Sequence, residues 1–257
     1  MFDARARGDL LVARDLSVIH AHPKRPLISN IFARFPPGRV TAIVGPSGAG
    51  KSTLAKALVG LEPGTSGSLR FRGTELVGRP PSEWRSLRRT VQLCWQDSVS
   101  ALNPRLTLLA SINEARILSG RPRWDEGATR LASLAGSLDL PIPLLRRHPP
   151  ELSGGQCQRA ALIRALATQP ELLICDEITA SLDRHLVWRV IDLLARLRRT
   201  NVGIVFITHD LTLVQHLAED IIVLAKGRIV ESGSTHTVLS SPVHTVTRSL
   251  VHASVRI

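Results

Sequence analysis

Arg39-Val-Thr-Ala-Ile-Val-Gly-Pro-Ser-Gly-Ala-Gly-Lys-Ser52 runs from a short apolar stretch into a glycine-rich turn, and Ser52 to Leu58 continues as a helical pattern. Strand, turn and helix in that order are the setting in which Gly45 to Ser52 reads as a P-loop rather than a chance glycine turn. Gly45, Gly48 and Gly50 let the backbone curl until successive N–H groups face the β- and γ-phosphates of a nucleotide. Around them, Pro46, Ser47, Ala49 and Thr53 complete the expected phosphate cradle. Lys51 adds a point charge, the Ser52 hydroxyl can ligate Mg2+, and the helix presents its positive end to the anion.

Two further apolar runs, Glu171 to Cys175 and Val202 to Thr208, have the character of strands covered on both faces. Between them Val187, Val190, Ile191, Leu194 and Leu197 fall on one helical stripe. Strand, helix, strand predicts a parallel α/β core. Leu10 to Ile19, Leu27 to Phe35 and Ser68 to Phe71 are patchier and predict an antiparallel sheet beside it. Ile221 to Ala225 and Arg228 to Glu231, joined by Lys226-Gly227, read as a hairpin. The stretch from about Gln96 to Pro150 is rich in proline and poor in helix caps, and is expected to form an inserted, mainly helical sub-lobe.

The acidic tip Asp176-Glu177 ends the first of these strands, at the sheet edge where α/β folds bind ligands. Asp176 is placed to hold Mg2+ and Glu177 to polarise an attacking water. His209 ends the next strand at the same edge, which favours a sensing or transition-state role over a merely structural one. Gln96 could reach metal and water, although a glutamine before a turn says little alone. Leu152-Ser-Gly-Gly-Gln156 opens a helix with a serine N-cap, whose spare N–H donors make a second anion site. Standing alone, that end is better explained as a merely capped helix.

The chain has 257 residues, 44% of them hydrophobic, so it can bury a substantial core in a single domain. No apolar stretch is long enough to span a bilayer, and the first residues lack a signal-peptide core. Cys94, Cys157 and Cys175 are widely spaced, which suits a reducing cytosolic compartment. A formal net charge of +12 suits nucleic acid, anionic lipid or nucleotide. Arginines scattered along the chain favour a plainer reading, in which they decorate solvated helix faces.

With the P-loop, Leu152-Ser-Gly-Gly-Gln156 and the Asp176-Glu177 tip in order, the chain resembles the ATP-binding subunit of an ABC transporter, over roughly Leu10 to Ala253. The resemblance implies an α/β fold: a P-loop NTPase with a RecA-like parallel sheet core, an antiparallel β subdomain and an inserted helical subdomain. It implies one domain over residues 1–257, with the sub-lobe near 97–150 and a tail at 233–257. ATP and Mg2+ are the implied cofactors. Glu177, His209 and Lys51 would be catalytic, and Ser52, Gln96 and Asp176 would surround the metal. Gln96 matches the Q-loop glutamine and His209 the switch histidine. In that family Ser153, Gly154, Gly155 and Gln156, with Asp183 of the Ser181-Leu-Asp183 D-loop, meet the nucleotide of an opposing subunit.

A finer resemblance rests on Gln96-Asp-Ser-Val-Ser-Ala-Leu-Asn-Pro-Arg105, Arg147-His-Pro-Pro-Glu-Leu-Ser153 and His244-Thr-Val-Thr-Arg-Ser-Leu250. These look like the oligopeptide/dipeptide/nickel import branch. The implied partners are two transmembrane permease subunits, a second ATP-binding subunit in a head-to-tail dimer, and an extracytoplasmic solute-binding protein. The implied place is the cytoplasmic face of the inner membrane, with no nucleic acid bound. A soluble ABC-type ATPase acting on nucleic acid or ribosomes is the alternative. Three departures stand out: His20 occupies the adenine-stacking position, Cys157 sits in the signature helix, and the chain stops soon after Leu250. His236, His244 and His252 read as surface histidines rather than a metal site.

Overall fold

The computed structural model describes residues 8–20, 25–97 and 100–254. In chain order, β1 (Leu11–His20) and β2 (Arg25–Phe35) are followed by β3 (Val40–Val44) and α1 (Lys51–Leu58). β4 (Thr65–Phe71), β5 (Thr74–Glu75), α2 (Pro81–Thr90) and β6 (Val91–Cys94) come next. Then α3 (Leu108–Leu118), α4 (Thr129–Ser137), two 3-10 turns at Ile142–Arg146 and Pro149–Glu151, and α5 (Gly154–Ala167) precede β7 (Leu172–Asp176). The chain closes with α6 (Arg184–Arg199), β8 (Gly203–Ile207), α7 (Leu211–Leu217), β9 (Asp220–Ala225), β10 (Arg228–Ser234), α8 (Thr235–Ser240) and α9 (Thr245–Ser254).

Six strands form the central sheet in the order β10-β9-β3-β8-β7-β6, and four form a second sheet, β2-β1-β4-β5. β3 pairs parallel with both β8 and β9, and β7 pairs parallel with both β8 and β6. The second sheet is antiparallel throughout. Every residue of β3, β7 and β8 is buried, which is why those runs lack alternation. Their side chains nonetheless alternate between two cores. Leu173, Cys175, Ile204 and Phe206 pack with α5, α6 and α7, while Leu172, Ile174, Val205 and Ile207 pack with α1 and the antiparallel sheet. The expected hairpin forms too, with Lys226 and Gly227 both at positive φ in its two-residue turn.

Parallel pairing sends the ends of β3, β6, β7 and β8 to one edge, where the P-loop, Gln96, Asp176-Glu177 and His209 emerge. Sequence patterning gave no warning of α2 or β6. α2 buries only Leu87 among its arginines, and β6 is a four-residue edge strand. Between them and α5, the chain also departs from the expected shortage of caps: Thr107 Oγ1 accepts from Ala110 N at 3.2 Å and caps α3. At the C-terminal side, α8 and α9 pack on α7, and His244 Nδ1 accepts from Val246 N at 3.2 Å.

Gly45 is where β3 hands over to the P-loop, and a Cβ there would stand 2.0 Å from the Leu224 carbonyl oxygen of β9. Backbone cannot yield as a flexible side chain can. Gly45→Ala is therefore expected to destabilise the fold by about 2–3 kcal/mol, as overpacking does. Urea unfolding checks this, and an unchanged midpoint would contradict the close approach.

Candidate nucleotide site

The P-loop is braced from below. Ala49 O accepts from Gly227 N at 3.0 Å, and Gly227 O accepts from Ser29 N at 2.8 Å, so the β9–β10 turn joins the loop to β2. Gly48 and Gly50 both have positive φ, and a Cβ on Gly50 would meet Ile28 Cγ2 at 2.8 Å. Lys51 is buried, its Nζ donating to Gly45 O at 2.9 Å and Pro46 O at 3.1 Å. The ammonium is thus held over the loop by neutral carbonyls, with no carboxylate cancelling its charge in these bonds. A cleft of about 480 Å³ opens here, lined by Gly45, Ser47 to Thr53, Gln96, Glu177 and His209. Pro46 lies outside that lining and contributes through its carbonyl.

Asp176 is only 3% exposed, and burial raises its carboxyl above the ordinary value against the opposing hydrogen bond from Ser52 and the charges of Lys51 and Lys56. Its Oδ1 is buried without a hydrogen-bond partner. Such an atom costs about 1–3 kcal/mol unless something completes it. Ser52, Gln96 and Asp176 line a second cavity together with Lys56 and Trp95. A hydroxyl, an amide and an incompletely satisfied carboxylate make an all-oxygen donor set suited to a hard divalent cation such as Mg2+.

Glu177 adopts φ +48°, a left-handed conformation uncommon outside glycine. Its N–H donates to Ile207 O at 3.0 Å, which ties the turn to the end of β8. The carboxylate, 19% exposed, accepts from Gln96 Nε2 at 3.3 Å, and His209 Nδ1 stands 3.8 Å from the same Oε2. Gln96 and His209 flank Glu177 at the mouth of the phosphate cleft. Lys56 and Trp95 join the neighbouring cavity, the ammonium 5.7 Å from the ring centroid, and sequence reasoning missed both. Lys56 lies four residues after Ser52 on α1, the helical spacing that could have shown it.

The start of α5 stands apart. Ser153 Oγ accepts from Gln156 N at 3.2 Å while Gln156 Oε1 accepts from Ser153 N at 2.9 Å, a full capping box. Just upstream, the His148 N–H and Arg147 guanidinium hold the Glu151 carboxyl down at about 2. Ser153 and Gly154 are exposed, and a Cβ on Gly154 would meet nothing within 4 Å. The Cβ position of Gly155 lies 3.4 Å from Ser181 O, so the D-loop abuts this helix end. Asp183 Oδ1 accepts from Leu186 N at 2.9 Å and caps α6. None of Ser153, Gly154, Gly155, Gln156 or Asp183 lines either cavity at the P-loop.

The structure therefore gathers the P-loop, Gln96, Asp176, Glu177 and His209 and leaves the Ser153 end and Asp183 together on a separate exposed surface. Cys157 is fully buried, with Sγ 3.6 Å from Pro149 O beneath the second 3-10 turn. The side chain of His20 lies outside the described residues.

The model for the ABC transporter family matches residues 28–180. Oligopeptide transport ATP-binding protein OppF of Escherichia coli is 37% identical over 228 residues, spanning 88% of this chain and 68% of its own length. Nickel import ATP-binding protein NikE of Escherichia coli is 38% identical over 212 residues, spanning 82% of this chain and 79% of its own. Among solved structures, a dimeric ATP-binding cassette in a post-hydrolysis state, bound to ADP and Pi, superposes with a TM-score of 0.80 at 25% identity, covering 88% of this chain and 98% of that one. Family, relatives and fold agree, and the chain belongs to the ABC transporter family as one of its P-loop ATPase cassettes.

Proposed function

We propose that this chain is the ATP-hydrolysing subunit of a bacterial importer of peptides, nickel or metal chelates, working as a dimer whose nucleotides sit at the seam between subunits. One observation carries the shared site. The P-loop, Gln96, Glu177 and His209 line the phosphate cleft and Asp176 the adjoining cavity, whereas the Ser153 helix end, with Ser153 and Gly154 exposed, lines neither. The likeness to importer ATPases supports the transport role.

The P-loop binds the triphosphate and Lys51 steadies its β- and γ-oxygens. Ser52, Gln96 and Asp176 would hold Mg2+, which when bound neutralises charge between those phosphates. Glu177 accepts a proton from the attacking water, while Gln96 and His209 hold the carboxylate and the γ-phosphate end in register. The Ser153, Gly154, Gly155 and Gln156 end, with Asp183 beside it, covers the partner's γ-phosphate with hydrogen bonds and the positive helix dipole. ATP binding favours the closed dimer, and loss of the γ-phosphate reopens it. Among the described residues no helix is long and apolar enough to cross a membrane. In this reading, which the likeness to importer ATP-binding proteins supports, two permease subunits form the channel, the cassettes sit at its cytoplasmic face, and a solute-binding protein feeds it from outside.

The shared site has a test in wild-type protein. Phosphate release per subunit should rise with protein concentration until dimers dominate; a rate independent of dilution would contradict it. For the import role, the chain extracted from its own membranes should carry permeases, and solute-loaded binding protein should accelerate phosphate release. Recovery as a free protein that binds DNA in a salt-sensitive manner would overturn that role.

A further inference from the structure

Not all the arginines lie on solvated faces. Arg116, on α3, is only 4% exposed, and its partners are carbonyls and an aromatic face. Its Nε donates to Pro122 O at 2.7 Å and its guanidinium lies 3.8 Å from the Trp124 ring centroid. Asn113 fixes that tryptophan by exchanging two hydrogen bonds with its backbone, at 2.9 and 2.7 Å. The remaining arm of Arg116 donates to Ala167 O at 2.7 Å, and Arg121 Nε donates to Thr168 O at 2.6 Å. Ala167 is the last residue of α5 and Thr168 its C-cap. Two guanidiniums thus occupy the helix end where carbonyls lack partners and the dipole is negative.

α5 has 14 residues, so this end lies about 21 Å from Ser153 along one stiff rod. Near its other end, Arg159 donates to the Asp139 carbonyl at 2.6 Å and so braces the helix against the end of α4. We propose that Arg116, assisted by Arg121, is a positioning residue for hydrolysis: by clamping the far end of α5 it sets where Ser153 meets the partner's γ-phosphate. The proposal rests on the shared site described above. A displacement of about 1 Å in such a contact is enough to cost a hundredfold in rate, so a loosened clamp reads out at the seam and not at the P-loop.

The test uses Glu177→Gln protein, in which ATP-driven dimers are expected to persist, and measures the dimer dissociation constant by sedimentation and the ATP affinity of dilute monomer. Adding Arg116→Gln should weaken dimerisation about tenfold or more while leaving monomer ATP affinity within about twofold. Arg116→Lys keeps the charge but not the two-armed geometry and should fall between; it carries the test if the glutamine variant does not fold. Arg198→Gln is the control. Arg198 pairs with Glu219 and reaches the Leu217 carbonyl at 3.5 Å, another helix end but not that of α5. With a matched loss of melting temperature it should leave dimerisation unchanged. Parental dimerisation in both Arg116 variants, or equal weakening by Arg198→Gln, would overturn the proposal. If the parent Glu177→Gln protein fails to dimerise with ATP, the shared site itself is wrong, and the clamp's role falls with it.

Discussion

Glu177→Gln is expected to slow phosphate release about a hundredfold or more, as loss of a general base does, while ATP binding survives and a closed dimer accumulates. The substitution keeps size and shape and still offers one oxygen to accept from Gln96 Nε2, so Gln96 and His209 retain a neighbour of the same outline. The backbone bond from residue 177 to Ile207 O is untouched, and the φ of +48° is no harder for glutamine than for glutamate. What disappears is the anion that takes the water's proton. Binding should hold because Lys51, Ser52 and the loop amides are unchanged. Phosphate-release assays and gel filtration with Mg·ATP check both halves, and wild-type hydrolysis in this variant would remove Glu177 from the role.

Ser153→Arg is expected to abolish hydrolysis, leaving less than about one per cent of wild-type rate, with ATP affinity of the isolated subunit intact. Ser153 lines neither cavity at the P-loop, so damage confined to one chain could not reach its own nucleotide directly. Loss of the capping box costs about 1 kcal/mol, which α5 can bear, because Cys157, Ala160, Leu162 and Ile163 anchor it in the core. The long side chain instead stands where the partner's phosphates must arrive. Equilibrium nucleotide binding at high dilution and phosphate release at high concentration separate the two effects. Strong loss of binding to the monomer would show that Ser153 acts within its own chain.

Much of this was legible in the sequence because the core strands are buried on both faces. Val40 to Val44, Leu172 to Cys175 and Gly203 to Ile207 had to be mostly apolar runs, and the residues just past the end of each run had to lie at one sheet edge. The N-cap at Ser153 was legible from residue types alone; the outward direction of that helix end was not, because it depends on how α5 packs. α2 and β6 were missed for the opposite reason, since a short edge strand and a helix with one buried residue leave little periodicity. The arginines show where reading by composition fails. Arg116, Arg121 and Arg159 look like surface charge in the sequence, yet each donates to a carbonyl at or just past a helix end. Those acceptors come together only when the helices pack, so no local pattern marks them.

The most direct measurement is a structure of Glu177→Gln protein crystallised with Mg·ATP. Each γ-phosphate should lie about 3 Å from Ser153 Oγ and the Gly155 N–H of the opposite subunit, with Lys51 of its own subunit on the other side. A triphosphate enclosed by residues of one protomer alone, with both Ser153 helix ends still facing solvent, would contradict the shared site.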